Sequence, residues 1–283
     1  MEAPVPLTKP STEPVPLSTS LRKPIFDLVF CFCIWFLISR GPRAVGLHPP
    51  HSGFFCNDES IRLPRVPEII SDQALYIYVF ALVCVCIIIV ELYCLLFVDS
   101  HSELISGEAG KSKLERYLLR ILTVFSYFLI AYVITYSLTS VSKLTVGRLR
   151  PRFLDVCRPN IDIEACSTQL IYISDYECTN ENEGLVLDGR RSFFSGHSSQ
   201  SMVAGIFCVL YVYARLSGVI YSEAAVPLIQ FGLISSSLFV GWSRYVDHSH
   251  HWSDIIVGQF VGAIVAYLII MKVAKMFPTR KFI

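Results

Sequence analysis

Six apolar runs divide the chain, at roughly 25–39, 72–98, 117–141, 193–216, 224–242 and 253–276. A helix that crosses a bilayer needs about 20 residues at about 1.5 Å of rise each. Five of the runs reach or approach that length. The first is short and carries Asp27, so it is expected to extend into Ala44–Leu47 or to tilt little. Stretches such as Tyr76–Val90 have no polar face, which argues against a soluble bundle of buried helices. The pattern predicts an all-α, polytopic membrane protein with six transmembrane helices.

An even number of spans puts both termini on one side of the membrane. The loops at 40–71, 142–192 and 243–252 then share the other side. Lys and Arg do not decide which side is cytosolic, because 12 fall on each. Several of those on the loop side belong to the polar constellations described below. Discounting them as functional puts the termini in the cytosol. Cysteine usage agrees: of ten Cys, the four outside the apolar runs (Cys56, Cys157, Cys166 and Cys178) all lie in the loops opposite the termini. A lumenal or extracellular face there would permit disulfides. The chain has no Asn-x-Ser/Thr sequon to settle the sidedness.

Composition supports the membrane reading, with 53% hydrophobic and only 17% charged residues. A net charge of +1 lacks the basic excess of a nucleic-acid binder. Residues 1–24 hold six prolines among Ser and Thr and read as a disordered cytosolic tail. A six-span catalytic domain over 25–276 and a short basic cytosolic tail over 277–283 complete the organisation.

Three polar constellations sit where apolar runs meet loops. The first is Lys143 followed by Arg150-Pro151, the second Ser195-Gly196-His197, and the third Ser243-Arg244 with His250 and Asp254. The span count puts all three on one face. Arg150 and Arg244 offer planar forks of donors suited to phosphate, and Lys143 adds a point charge. Pro151 fixes the backbone beside Arg150. Gly196 lets an anion approach amides at a helix start, where Ser195 can donate one more bond. His250 and Asp254, four apart at a helix entrance, share one face. The carboxylate can then orient the imidazole for nucleophilic attack, while His197 is placed to protonate a leaving oxygen. Alternatively Asp254 simply caps its helix. A metal site among Asp247, His248, His250 and His251 is the lesser reading, since this side collects cations rather than carboxylates. A non-enzymatic scaffold and an anionic-lipid transporter are the rival functions. A transporter would place its charges near mid-span.

Together the three constellations resemble the tripartite signature of the type 2 phosphatidic acid phosphatase superfamily: Lys-x6-Arg-Pro, Pro-Ser-Gly-His, and Ser-Arg-x5-His-x3-Asp. This chain matches the first from Lys143 to Pro151 and the third from Ser243 to Asp254. It departs in the second, where Phe194 replaces the leading proline. An aromatic there is similar to the animal lipid phosphate phosphatase branch, as are Phe55–Ile61 and Phe153–Cys157. The resemblance implies the helical-bundle core of the phosphatidic acid phosphatase/haloperoxidase kind. It also implies metal-independent, cofactor-free hydrolysis of lipid phosphate monoesters: phosphatidate, lysophosphatidate, sphingosine 1-phosphate and ceramide 1-phosphate. A phosphohistidine on His250, oriented by Asp254, is the implied intermediate. His197 acts as acid and then base; Lys143, Arg150, Pro151, Ser195, Gly196, Ser243 and Arg244 form the phosphate site. The active site would face the lumen or the cell exterior, in the plasma membrane or an endomembrane. The expected partners are lipid phosphates in the bilayer and no nucleic acid; a homo-oligomer is left open.

Overall fold

The structure is a computed structural model and describes residues 22–44, 48–98, 113–166 and 170–277. Of the expected tails, residues 1–21 and 278–283 lie outside the described residues. Helix α1 already begins at Arg22, inside the segment read as tail, and runs to Ala44.

The remaining runs become long helices. α2 spans Asp72–Tyr93 and passes into a π-helical turn at Cys94–Val98. α3 spans Lys113–Thr145. Three short helices follow in the long loop: α4 (Phe153–Cys157), α5 (Ile163–Cys166) and α6 (Glu183–Gly189). α7 (Gly196–Leu216), α8 (Ala225–Val246) and α9 (Trp252–Leu268) complete the bundle, with a π-helical turn at Ile269–Val273. The only strands among the described residues, β1 (Phe54–Phe55) and β2 (Tyr172–Ile173), pair antiparallel.

Among the described residues five helices, α2, α3, α7, α8 and α9, are long and apolar enough to cross a membrane. The chain is therefore an all-α, multi-pass integral membrane protein. The expected count of six is not reached on these grounds, because the apolar stretch of α1 covers only Ile25–Ile38. α1 packs along α3, where Trp35 meets Tyr136 edge-on at 6.2 Å.

α7 is the central helix, in contact with α2, α3, α8 and α9 and buried along most of its length. It starts with a Ser-rich segment that reads as polar yet packs inside, because small side chains let neighbouring backbones come close. The closest approach is to α9, through Gly258 and Gly262 on one face of that helix. A Cβ on Gly258 would lie 2.6 Å from the Ser195 carbonyl oxygen, and one on Gly262 would collide with the Ser199 carbonyl. No larger residue fits at either position without moving a helix. Polar side chains tie the bundle elsewhere: Thr139 and Ser199 hydroxyls meet at 3.1 Å between α3 and α7. At the end of the bundle away from the constellations, Arg215 clasps Glu91 with bonds of 2.8 and 3.0 Å.

The loops on the constellation side form their own small core of Phe54, Ile61, Leu149, Phe153, Cys157 and Tyr176. Disulfides join Cys56 to Cys166 and Cys157 to Cys178, so the four loop cysteines pair while the six in the helices form no disulfide. The Arg190 guanidinium lies 5.3 Å from both the Phe153 and Tyr176 ring centres. This cap sets the position of the 146–152 segment, because Leu149 and Phe153 are anchored in it.

Candidate active site

The site is assembled from helix ends. Lys143 is in the last turn of α3, His197 in the first turn of α7, Arg244 in the last turn of α8 and Asp254 in the first turn of α9. Local sequence explains why these helices begin where they do. Ser195 is the N-cap of α7, its hydroxyl accepting from the Ser198 amide at 3.3 Å. Asp254 reaches back to accept from the His251 amide at 3.2 Å, which satisfies one of the donors left free at the start of α9. The two starts are joined directly, because the Ser195 N–H donates to the Asp254 carbonyl at 3.0 Å. The second and third constellations are thereby held in contact.

Asp254 is buried and heavily engaged. It accepts from the Ser192 hydroxyl at 2.6 Å and is ion-paired with Arg148, and the His251 Nδ1 lies 3.3 Å away. His250 Nδ1 is 3.8 Å from the same carboxylate. That is ion-pair range rather than hydrogen-bond range, and the buried Nδ1 has no hydrogen-bond partner among the described residues. The i, i+4 spacing does bring the two groups to one face. The direct bond is missing because the carboxylate is turned towards its own helix start, where it also caps.

The arginines form a second layer. Arg150 donates to the Asp188 carbonyl at 2.9 Å, to the Asp188 carboxylate at 2.7 Å and to the Ser249 carbonyl at 3.2 Å. Arg244 donates to the Ile70 carbonyl at 2.8 Å and the Ser249 hydroxyl at 2.9 Å, and pairs with Asp247 at 2.9 Å. Glu68 bridges Arg244 and Arg152 at 3.3 and 3.5 Å. His197 donates from Nε2 to the same Ile70 carbonyl, at 3.1 Å. Arg244 and His197 therefore converge on one point from two helices. The Lys143 ammonium approaches the start of α7, 3.8 Å from where a Cβ on Gly196 would stand.

Three of the expected residues also make bonds within the protein. The Ser195 hydroxyl accepts from the Ser198 amide and hydroxyl within α7, which leaves its own proton to donate, and the Ser243 hydroxyl donates to the Val240 carbonyl within α8 at 2.8 Å. Pro151 holds the loop instead, its carbonyl accepting from the Leu63 amide at 2.9 Å.

A family model described as the PAP2 superfamily matches residues 124–277, more than half of the chain and all three constellations. Among curated proteins, phospholipid phosphatase 1 of Rattus norvegicus is 37% identical over 233 residues, 82% of this chain and 79% of that protein. Phospholipid phosphatase 2 of Bos taurus is 34% identical over 264 residues, 92% of this chain and 86% of that protein. The human phospholipid phosphatase 2 is 33% identical over the same length. No solved structure matches the chain.

The chain belongs to the PAP2 superfamily.

Within the superfamily it falls in the phospholipid phosphatase branch, a group of enzymes. The PAP2 site is strongly charged. Burial pushes the Arg150 guanidinium down from its ordinary pKa, and Arg152 and Arg244 add to that while Asp188 opposes it. Burial pushes the Asp188 carboxyl up, yet Arg150, Lys143, Arg152 and Arg191 outweigh it and hold the group below its usual range. His250 is held well below the ordinary imidazole value, by burial first, with Arg150 and Lys143 adding and Asp254 opposing. It is a neutral imidazole at neutral pH, the form a nucleophile requires. Among the described residues no group of three or more His, Cys, Asp or Glu converges as metal ligands would.

Sequence reasoning missed Glu68, Asp188, Ser192 and the Ile70 carbonyl as members of the site. Glu68 and Ile70 lie in an irregular loop and Ser192 in the irregular stretch between α6 and α7. None carries a spacing signal, and only the tertiary fold brings them in.

Proposed function

We propose that the chain hydrolyses lipid phosphate monoesters at the membrane surface through a phosphohistidine on His250. The single observation that supports this best is the convergence of Lys143, Arg150, Arg244, His197 and His250 at one end of a membrane-spanning bundle. Phosphoryl transfer is mostly positioning and stabilisation of charge on the phosphoryl oxygens, and this collection of cations supplies both. His250 Nε2 forms a bond to phosphorus as the bond to the lipid oxygen breaks. His197, protonated once the phosphate dianion enters, gives its proton to the departing alkoxide. It then takes a proton from water, which attacks phosphorus and frees His250 and inorganic phosphate. Asp254 orients His250 electrostatically, and Arg148 and Ser192 hold Asp254.

The name of the relatives supports phospholipids as the substrate class. Phosphatidate, lysophosphatidate, sphingosine 1-phosphate and ceramide 1-phosphate are the expected substrates, and no metal is required. Exposed Trp242, Tyr245 and Trp252 flank the site at the ends of α8 and α9. Such residues favour the headgroup level, where a lipid phosphate would be. We assign this end to the lumenal or extracellular side, with α1 as a sixth span and both termini cytosolic.

The test is phosphate release by purified protein in mixed micelles of these lipids with excess chelator. Wild-type turnover with loss in His250→Ala supports the proposal. Near-normal turnover by His250→Ala would refute the nucleophile, and loss of wild-type activity in chelator would refute metal independence.

A further inference from the structure

A cavity of about 320 Å³ opens beside the site between α1, α2, α3 and α7. Its polar end is formed by Lys143, Gly196 and His197. Gln200 lies four residues beyond Gly196 on the same face of α7, about 6 Å further into the bilayer at about 1.5 Å per residue. A second, largely aromatic cavity of about 280 Å³ continues from it and shares Trp35, Tyr76 and Tyr136. The lining therefore grades from cationic, through one amide, to aromatic.

Gln200 is unexpected in that wall. A buried amide in a membrane bundle is costly unless hydrogen-bonded, and a cavity meant only for hydrocarbon would need no amide. Gln200 is 4% exposed. Its Oε1 accepts from the Tyr132 hydroxyl at 3.3 Å. The amide nitrogen, with two protons to donate, has no acceptor among the described residues. Tyr132 thus anchors the carbonyl end and leaves the donor end for whatever fills the cavity.

We propose that Gln200 is a specificity-determining residue that donates a hydrogen bond to an acceptor oxygen of the lipid, one helical turn below the phosphate. An ester or amide carbonyl, or a hydroxyl next to the headgroup, has this chemistry; the hydrocarbon then leaves past Trp35 and Phe32 into the second cavity. The proposal rests on the reading that the Lys143–His197 end holds the phosphate. It goes beyond that reading by giving the site a preference for lipids with a polar backbone over simple alkyl phosphates.

The experiment compares kcat/KM of the full chain on phosphatidate and on dodecyl phosphate, which has a chain and a phosphate but no further acceptor. In Gln200→Leu the ratio of the two should fall by roughly three- to ten-fold, the worth of one hydrogen bond. Tyr132→Phe, which leaves the glutamine present but unanchored, should move the ratio the same way by less. The ratio cancels the amount of folded enzyme, and Tyr132→Phe carries the test if Gln200→Leu fails to accumulate. A ratio unchanged from wild type in the variant measured overturns the proposal. Wild-type protein inactive on both compounds would instead overturn the phosphatase reading beneath it.

Discussion

Replacing Gly258 by alanine tests whether the contact between α7 and α9 sets the geometry of the site. In an exposed helix interior this change would stabilise by about 1 kcal/mol. Here the new methyl would lie 2.6 Å from the Ser195 carbonyl oxygen, 3.3 Å from Ser198 Cβ and 3.4 Å from the Ser199 amide nitrogen. The first contact is short of ordinary van der Waals distance by about 0.8 Å. Two of its three neighbours are backbone atoms and cannot rotate away, so the helices must separate. Overpacking of this kind costs about 1–3 kcal/mol, which outweighs the gain in helix propensity and reverses the usual sign.

The separation falls at the residues proposed for catalysis. Ser195 and Asp254 are joined by a 3.0 Å backbone bond that ties the start of α7, which carries His197, to the start of α9, which follows His250. A misplacement of about 1 Å between reacting groups can cost about 10²-fold, so a shift of this size should lower kcat by roughly 10- to 100-fold. Gly232→Ala on α8 is the control, since no atom of the described residues lies within 4 Å of its Cβ position. Thermal unfolding in detergent and phosphate release from micelles measure both effects. If Gly258→Ala matched Gly232→Ala in melting temperature and turnover, the close contact would not be what holds the site, and the reasoning would be refuted.

Two further predictions concern charge. Glu68→Gln should lower KM and the inhibition constant of inorganic phosphate by roughly two- to five-fold, because Glu68 competes for Arg244 and is 36% exposed, which keeps such a pair to about 0.2–1 kcal/mol; a raised KM would show instead that Glu68 positions the arginines. Stability should fall as pH drops from 7 to 5, because folded His250 resists protonation while the unfolded chain takes up a proton near pH 6.5. His250→Gln should flatten that part of the thermal-stability profile, and an unchanged slope would argue against a buried neutral His250.

The parts of the molecule legible in the sequence are those governed by local rules. Apolar length gave the spans, and the ends of those spans carried Lys143, His197, Arg244 and Asp254. Their shared end of the bundle follows from span parity. The four loop cysteines stood apart for the same reason. α1 is the exception, since a helix of 23 residues contains an apolar stretch too short to decide its path. The centrality of α7 was hidden because its Ser-rich start looks polar, and close packing rather than hydrophobicity buries it. Gly258 and Gly262 carried that signal in their four-residue spacing, unread. The partners of the arginines were not legible at all. Asp188 reaches Arg150 from a short helix in the long loop, and Glu68 reaches Arg244 across 176 residues of sequence.

Those two carboxylates are not equivalent, and the difference bears on how the proposed phosphate would be received. Three buried arginines in one place repel each other and need counter-charge. Asp188 holds Arg150 through both its carboxylate and its carbonyl, at 2.7 and 2.9 Å, and so fixes the orientation of the fork. Glu68 stands further off, at 3.3 and 3.5 Å, on a loop whose Ile70 carbonyl also meets Arg244 and His197. Arg244 and His197 are two of the groups assigned to the phosphate and its leaving oxygen. The loop therefore offers oxygen atoms where the proposed substrate would offer its own, with the Glu68 carboxylate in the weaker of the two geometries. Exchange of Glu68 and Ile70 for a phosphate dianion would keep the arginines neutralised throughout, whereas loss of Asp188 would release the fork that has to receive it.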